Sequence, residues 1–543
     1  MKTVLTHEEA LVARYELECF MLGTTGGYLG SGGEVIARIP PATLEWSVAW
    51  GKLVLTWWNE DSAQSLRITG YEIEPERAIL IGGRGLRTEP VRLVIDRAIE
   101  GLRPALEIAP TELTTRRTWY SEKLAALVSR SMPEVRVEGW SVGADHRNRA
   151  PGRYARLRLR RGAEMILGVG VSEAEERATI DGLIAAGLTW LHNYNQNRSW
   201  RQGAQQLWFF FPQSHRLSVT ARLPFIKVDG GRIPTGCFEV DELRGEVRRV
   251  QPFSQFELLG AYPDDLLWPE HLSTATLESR LDRIGREWHR RIIELAPDLI
   301  EPRFRPGRRL IGYAIHGLEF ARLPVEDGAA AEFGVTGDPE RLRYRGTSLT
   351  ARSFPQLHQL VRRLLKIRRA GSDDRHHPFY RLRTEGWLES MLRRDIRALD
   401  PRLDSRFVYS QVPAWHADER SVIDLLTVVG DWVDDSDRGR LVVIEIKAAE
   451  DPQLPLQGLD YWRRVEQARL RGEFGRRGLF AGARIASRSP KLYLVAPRLC
   501  FHRSFSTIAR CLDHEVDGFR IGLNSDWRSR VRVRSFDPLR RLE

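Results

Sequence analysis

Near the C-terminal end, the apolar run Leu441-Val-Val-Ile-Glu445-Ile-Lys447 carries a carboxylate and an ammonium two residues apart. On a strand successive side chains alternate faces, so Glu445 and Lys447 emerge together while Ile444 and Ile446 enter the core. Upstream, the strand-like run Ser421-Val-Ile-Asp424-Leu-Leu-Thr-Val-Val429 embeds one acid among residues that favour burial. Burying such an acid is costly unless a cation meets it. Two acids and a lysine on neighbouring strand faces suit a divalent metal that activates water beside a phosphodiester. A lone Glu-x-Lys is also the signature of an ordinary cross-strand ion pair, so the flanking elements decide its weight.

Those elements come in a definite order. The stretch from Thr384 to Ile396 spaces Leu388, Met391, Leu392 and Ile396 as a helix does, with Thr384 as its expected N-cap. The strand Arg406 to Val412 follows, then the Asp424 strand, a polar turn around Asp434 to Gly439, and the Glu445 strand. A further helix is expected to start near Pro455, a favourable first-turn residue. It places Gln457 and Tyr461 on one face, with Asp460 and Arg464 close to the same stripe. Pro490 to Ala496 is then a buried strand. The order is helix, three strands, helix, strand.

With this order and spacing, residues 384–500 resemble the PD-(D/E)xK nuclease superfamily, and the Gln-x-x-x-Tyr after Glu-Ile-Lys resembles its RecB-type and lambda-exonuclease-like branch. The resemblance covers only the C-terminal part of the chain. It implies that Asp424 and Glu445 are metal-binding acids, that the Ile446 carbonyl is a backbone ligand, and that the metal is Mg²⁺ or Mn²⁺. It further implies that Lys447 is the catalytic lysine, acting on the attacking water or on the charge of the transition state. Gln457 and Tyr461 match the residues that position substrate phosphate, and Arg464 is counted with them. Glu389 is preferred as the helix acid that joins the metal site, with Glu385 one turn earlier as its alternative. The proline that names the superfamily is absent, because Asp424 follows Ile423.

Composition bounds the rest. A chain of 543 residues is too long for one ordinary core, and four segments are expected. These are a β-rich 1–110, an α/β 111–240, a helical or mixed connecting region 241–375, and the nuclease-like 376–543. The fold class is therefore multidomain α/β with an α-β-β-β-α-β core at the C-terminal end. With 42% apolar and 29% charged residues the chain has an ordinary globular balance, and the net charge of +11 points to an anionic partner. Nucleic acid fits, with DNA preferred over RNA. Arg463, Arg464, Arg469, Arg471, Arg476 and Arg477, together with Arg393 and Arg394, are expected to line a groove that tracks the phosphate backbone. No apolar span of membrane length and no signal-peptide run occur, so a cytoplasmic protein without membrane contact is expected. Cys19, Cys237, Cys500 and Cys511 are widely spaced, which suits reduced thiols and excludes an iron–sulfur cluster.

Between residues 34 and 95 short alternating strands predict a small antiparallel sheet or barrel. Its Trp57, Trp58 and Tyr71 fit a core better than a base-stacking platform. The glycines from Gly23 to Gly33 lack the Lys-Ser/Thr of a phosphate loop and suggest a turn-rich entry. Residues 116–212 repeat the order of the nuclease-like segment, with Arg156-Leu-Arg158 where that segment has Asp424 and Gly168-Val-Gly170 where it has Glu-Ile-Lys. The expectation is a degenerate second core without metal ligands, tied to that register. Helices are expected within 274–295 and over 354–367, and the polar 368–378, with His376 and His377, is expected to be a flexible linker rather than a metal site. The functional expectation is a metal-dependent nuclease serving DNA repair or defence, with a protein partner through the N-terminal region. The alternatives are a catalytically silent nucleic-acid-binding or assembly protein that keeps the fold, and a nuclease subunit silent until a partner loads it.

Overall fold

The computed structural model describes the chain except residues 1, 5, 22–23, 32–33, 40–43, 50–51, 60–61, 75–76, 84–90, 100–112, 143–153, 173–179, 197, 200–201, 243, 255–280, 306–309, 326–330, 336–345, 417–418 and 543. The described residues are mixed α/β and form two compact units that interleave along the chain. One comprises Met1–Thr179, Asn193–Arg216 and Gly236–Val250; the other comprises Ile180–His192, Leu217–Thr235 and Gln251–Glu543. No described helix is long and apolar enough to cross a membrane.

The first unit opens with a helix, His7–Met21, and an antiparallel sheet whose pairing runs from Glu34–Ile39 at one end to Leu44–Ala49 at the other. Leu53, Leu55, Leu66, Ile68, Leu80 and Ile95 alternate inward and pack with Ala10, Ala13 and Leu17 of the helix. Tyr71 is buried, with its hydroxyl 2.6 Å from Glu16 Oε2, which makes it a core residue. The Trp57 and Trp58 side chains lie outside the described residues. The expected turn-rich entry is a strand over Thr24–Ser31, with Gly23, Gly32 and Gly33 outside the described residues.

The same unit holds helix α1 (Leu113–Ser131) and strands β1 (Arg136–Ser141), β2 (Ala155–Arg161), β3 (Glu164–Gly170), β4 (Gln206–Phe211), β5 (Thr235–Asp241) and β6 (Glu246–Val250). They form one sheet in sequence order, with β2 antiparallel to both neighbours and β3 parallel to β4. Between β3 and β4 the chain forms helix α2 (Ile180–Asn195).

In the second unit, α3 (Phe354–Ile367) and a helix over Arg283–Glu294 share a core with a five-stranded antiparallel sheet that begins Ile300–Arg305, Leu310–Ile315 and Leu318–Pro324. The C-terminal part carries α4 (Thr384–Arg394), β7 (Tyr409–His416), β8 (Glu419–Val428), β9 (Leu441–Ile446), α5 (Leu454–Leu470), β10 (Lys491–Pro497), β11 (Asp517–Leu523) and β12 (Val533–Pro538). Again the sheet follows sequence order, with β8 antiparallel to its neighbours and β9, β10 and β11 parallel. Every residue of β9 is buried, as befits a central parallel strand covered on both faces. Ile444 and Ile446 pack with Leu388 and Leu392 of α4, while Gly458 of α5 lies against Leu492 and Leu494 of β10.

The two six-stranded sheets share strand order, an antiparallel second strand, a parallel third and fourth strand, and one hydrogen bond. Val171 N–H donates to Phe210 O at 3.1 Å just beyond β3, as Lys447 N–H donates to Val495 O at 2.9 Å just beyond β9. Glu445 thus corresponds to Val169 and Lys447 to Val171, one residue away from the expected Gly168-Val-Gly170 match. Facing explains the shift. A Cβ on Gly170 would lie 2.4 Å from Leu124 Cδ2, so Gly168 and Gly170 lie beneath α1 as Ile444 and Ile446 lie beneath α4. The repeat in its expected register is therefore corrected. What stands is a shared topology in which Arg156 takes the place of Asp424.

Two local expectations also change. Thr384 does not cap α4: its hydroxyl donates to Arg381 O at 2.7 Å, and the cap position belongs to Arg383, whose φ is 51°. The expected flexible linker is a closed turn. Asp374 Oδ1 accepts the N–H groups of His376 and His377, and His377 Nδ1 accepts Phe379 N–H. Its first residue, Arg368, is 1% exposed. The Arg368 guanidinium donates to Ile315 O, His316 O, Phe379 O, Leu382 O and Arg383 O at 2.6–3.2 Å and lies over the Trp387 ring. Burial without a carboxylate partner, and the nearby Arg528 and Arg383, pull its pKa down to about 9, which leaves a cation held by carbonyl dipoles.

The hairpin tip that Arg368 grips, His316-Gly317, has positive φ at both residues, the pattern of a tight two-residue turn. A Cβ on Gly317 would sit 2.0 Å from Gly386 O in the first turn of α4. The mid-chain sheet therefore seats the helix that carries Glu385 and Glu389. Arg368→Met is expected to lower stability by roughly 3 kcal/mol or more, because five carbonyls lose a charged donor. Urea unfolding checks this, and a change below about 1 kcal/mol would show that the guanidinium is not the tie between hairpin and helix.

Candidate active site

Three adjacent strands bring three polar side chains into line. Ser410 pairs with Leu425 and Val412 with Ile423, so Gln411 on β7 stands opposite Asp424 on β8. The β8–β9 ladder stops at Leu425 and Ile444. Beyond it, Ile446 N–H donates not to backbone but to Asp424 Oδ2 at 2.9 Å, which sets Asp424 beside Glu445. Gln411 has a left-handed φ of 51°, costing about 1–2 kcal/mol for a side-chain-bearing residue. In this conformation its Nε2 donates to Asp424 Oδ1 at 3.3 Å and to Glu389 Oε2 at 3.1 Å.

Lys447 leaves the end of β9 and donates through Nζ to Glu445 Oε1 at 3.1 Å. Asp451 Oδ2 and Glu385 Oε2 stand 3.9 Å and 4.0 Å from the same nitrogen. Glu445 is 3% exposed, and its Oε2 is buried without a hydrogen-bond partner. On α5, Gln457 Oε1 is likewise buried without a hydrogen-bond partner. The Tyr461 pKa is raised by burial and then by the charges of Glu445, Asp460 and Asp424.

Charge in this pocket is strongly coupled. Burial raises the pKa of Asp424, opposed by the Ile446 N–H and Lys447. Glu445 is raised well above the usual carboxylate range, first by burial and then by the charge of Asp424. Glu389 is pushed up to about 7 by burial, against the pull of Arg303, whose Nη1 is 3.2 Å away. For Lys447 burial works downward, but Glu445, Glu385 and Asp424 outweigh it and hold the amine charged. The site is thus a buried acid pair with one lysine, in which an oxygen of Glu445 has no donor.

The structure brings Asp424, Glu445, Ile446 and Lys447 together. Glu389 joins them through Gln411, and Glu385 approaches from the lysine side. Arg464 is not brought there. It is 1% exposed, and its Nε donates to Asp460 Oδ2 at 2.9 Å within α5. Arg463 and Arg222 converge on the same carboxylate. Most of the expected arginine groove is likewise drawn into pairs, Arg469 with Glu466, Arg471 with Glu473, and Arg393 and Arg394 with Glu301, while Arg476 donates to Arg471 O. Gln411, Arg303 and Asp451 are the site residues that the sequence pattern did not mark. Gln411 depends on a backbone conformation no motif encodes, and Arg303 arrives from a distant sheet; only Asp451, four residues after Lys447, lay within reach of a local reading.

Neither the models of known protein families nor the curated proteins give a match to this chain.

Two outcomes test this arrangement. Gln411→Gly relieves the left-handed strain while removing the amide, whereas Gln411→Leu removes the amide and keeps the strain. The glycine variant is expected to melt closer to wild type, with the leucine variant on the order of 1–3 kcal/mol less stable. Equal melting of the two would show that the Gln411 backbone is unstrained. The second outcome concerns Glu301, which supports α4 through Ser390, Arg393 and Arg394. Burial works upward on Glu301, but Arg393, Arg303 and Ser390 bring its pKa down to about 2. A depressed acid stabilises the fold above its ordinary value near 4.5 and loses that contribution as pH falls toward 2. Unfolding free energy should drop by roughly 3 kcal/mol through that window, with a flatter profile in Glu301→Gln. Superimposable profiles would refute the ion-pair account.

Proposed function

We propose that this chain is a metal-dependent nuclease of the PD-(D/E)xK type, hydrolysing DNA in preference to RNA. The observation that carries the proposal is the orphaned, buried Oε2 of Glu445 beside Asp424 and Lys447 at the carboxyl end of β9. Among the described residues no three His, Cys, Asp or Glu side chains converge as a closed ligand set. Two carboxylates suffice for Mg²⁺, which keeps several waters and takes substrate oxygens. Asp424, Glu445 and the Ile446 carbonyl would hold Mg²⁺ or Mn²⁺, with Glu389 or Glu385 beside them. The ion would supply Lewis-acid activation of water next to the phosphodiester.

The chain's own residues define the remaining roles. Lys447 supplies positive charge beside the attacking water or the phosphoryl oxygens, its Nζ held by Glu445. Gln411 and the Ile446 N–H orient Asp424, and Lys447 orients Glu445. Gln457 and Tyr461 hold the substrate phosphate from α5. The N-terminal region offers a surface for a protein partner. The setting is cytoplasmic DNA repair or defence.

A catalytically silent nucleic-acid-binding or assembly protein is the second reading, favoured by the lack of a third converging ligand among the described residues. Cleavage of end-labelled linear and covalently closed circular DNA with Mg²⁺, Mn²⁺ or EDTA separates the two. Wild type is expected to cut only with metal, and Lys447→Ala and Asp424→Asn to lose at least about 10²-fold in rate while remaining folded. Metal-independent cutting, or cutting unaffected by both substitutions, would reject the site. A wild type that binds DNA without cutting, even with cell extract added, would favour the silent reading.

A further inference from the structure

The parallel strands β9, β10 and β11 end at one edge of the sheet, at Ile446, Pro497 and Leu523. Ligands of open α/β sheets bind outside that edge, because the chain leaves each strand there and its loops converge. Lys447 leaves β9 at this edge. Arg498 and Arg503 follow β10, and Arg530, Arg532 and Arg534 lie where the chain passes from β11 into β12. All five arginines are exposed. None of them makes a side-chain hydrogen bond or ion pair among the described residues; at longer range Asp526 feels Arg532 and Arg534, and His502 feels Arg503.

Elsewhere in this unit, Arg393 and Arg394 pair with Glu301, Arg402 with Asp400, Arg406 with Asp404, Arg440 with Asp437 and Arg520 with Asp537. At the strand ends, by contrast, five exposed arginines stand together without a carboxylate partner among the described residues.

The frame under them is ordered. Asn524, 5% exposed, closes the loop by accepting Arg532 N–H at 2.7 Å and donating to Arg530 O at 2.9 Å. Trp527 is buried beneath it, and Arg528 lies over Trp527, Tyr380 and Trp387 at 4.5–5.2 Å. Val531 is buried and Val533 half-buried, which turns Arg530, Arg532 and Arg534 outward in alternation. In an extended chain such residues stand about 6.6 Å apart, on the scale of successive phosphates.

We infer that this arginine edge is a track for the phosphate backbone of DNA, holding the strand roughly 14 Å from the acid pair, the width of three strand spacings from β9 to β12. The inference rests on the nuclease reading for its choice of partner, and its test is independent of cutting. Binding of a fluorescein-labelled DNA oligonucleotide, single-stranded and duplex, is measured by anisotropy in EDTA across 50–300 mM NaCl, conditions set to span the counterion-release range. Wild type is compared with Arg530→Gln/Arg532→Gln/Arg534→Gln. A control, Arg283→Gln/Arg286→Gln/Arg290→Gln, removes the same charge from the exposed face of the Arg283–Glu294 helix.

The track variant is expected to lower the slope of log K against log salt by about 2–3, and affinity at 150 mM by at least about tenfold, with the control changed far less. Arg498→Gln/Arg503→Gln should lower the slope by about 1–2. Equal loss in track and control variants would reduce the effect to total charge and overturn the track. So would a track variant that binds like wild type, or a wild type that binds no DNA. If DNA is cut but the slope is unchanged, the track fails and the nuclease reading stands; if the slope falls but nothing is cut, the reverse holds.

Discussion

Asp424 and Glu445 are two carboxylates held side by side inside a sheet, and most of the surrounding structure answers the cost of keeping them there. An N–H is freed from the β8–β9 ladder for Asp424, and Gln411 adopts a strained backbone to present its amide. Lys447 answers Glu445, while Arg303 reaches across from the mid-chain sheet to Glu389. One oxygen is still left without a donor.

Much of this was legible in the sequence, because strand alternation and helical spacing are local. The order from α4 to β10 follows from Leu388, Met391 and Leu392 at helical intervals and from the apolar runs around Asp424 and Glu445. Pro455 lies in the first turn of α5, as expected of a residue that needs no N–H donor there. What the sequence did not disclose depends on contacts between distant segments. Arg464 shares its helical stripe with Tyr461, yet Asp460 draws it, together with Arg463 and Arg222, into a buried ion cluster. Arg368 belongs to a polar stretch that resembles a linker, and only the carbonyls gathered around it make it a core residue. The one-residue shift between the two sheets was invisible for the same reason, since it depends on which glycine lies beneath α1.

Arginine content is a poor guide to surface charge in this chain. The net charge of +11 suggests a basic exterior, but much of the guanidinium near the acid pair is neutralised within helices and between strands. Intrahelical pairs such as Arg469 with Glu466 stiffen α5 and contribute nothing to a long-range field. One group of arginines that keeps its field projects from the carboxyl edge of the sheet, where backbone geometry rather than count decides what a polyanion meets.

The close approach of Gly317 to Gly386 has a consequence for how the protein comes apart. Because the hairpin tip and the first turn of α4 touch backbone to backbone, with Arg368 binding both, the helix has no room to slide or fray by itself. Opening α4 means opening the mid-chain sheet as well, which joins the two into one cooperative unit. The carboxylates on that helix therefore inherit the persistence of a whole sheet, and the pocket keeps its shape for as long as that sheet survives.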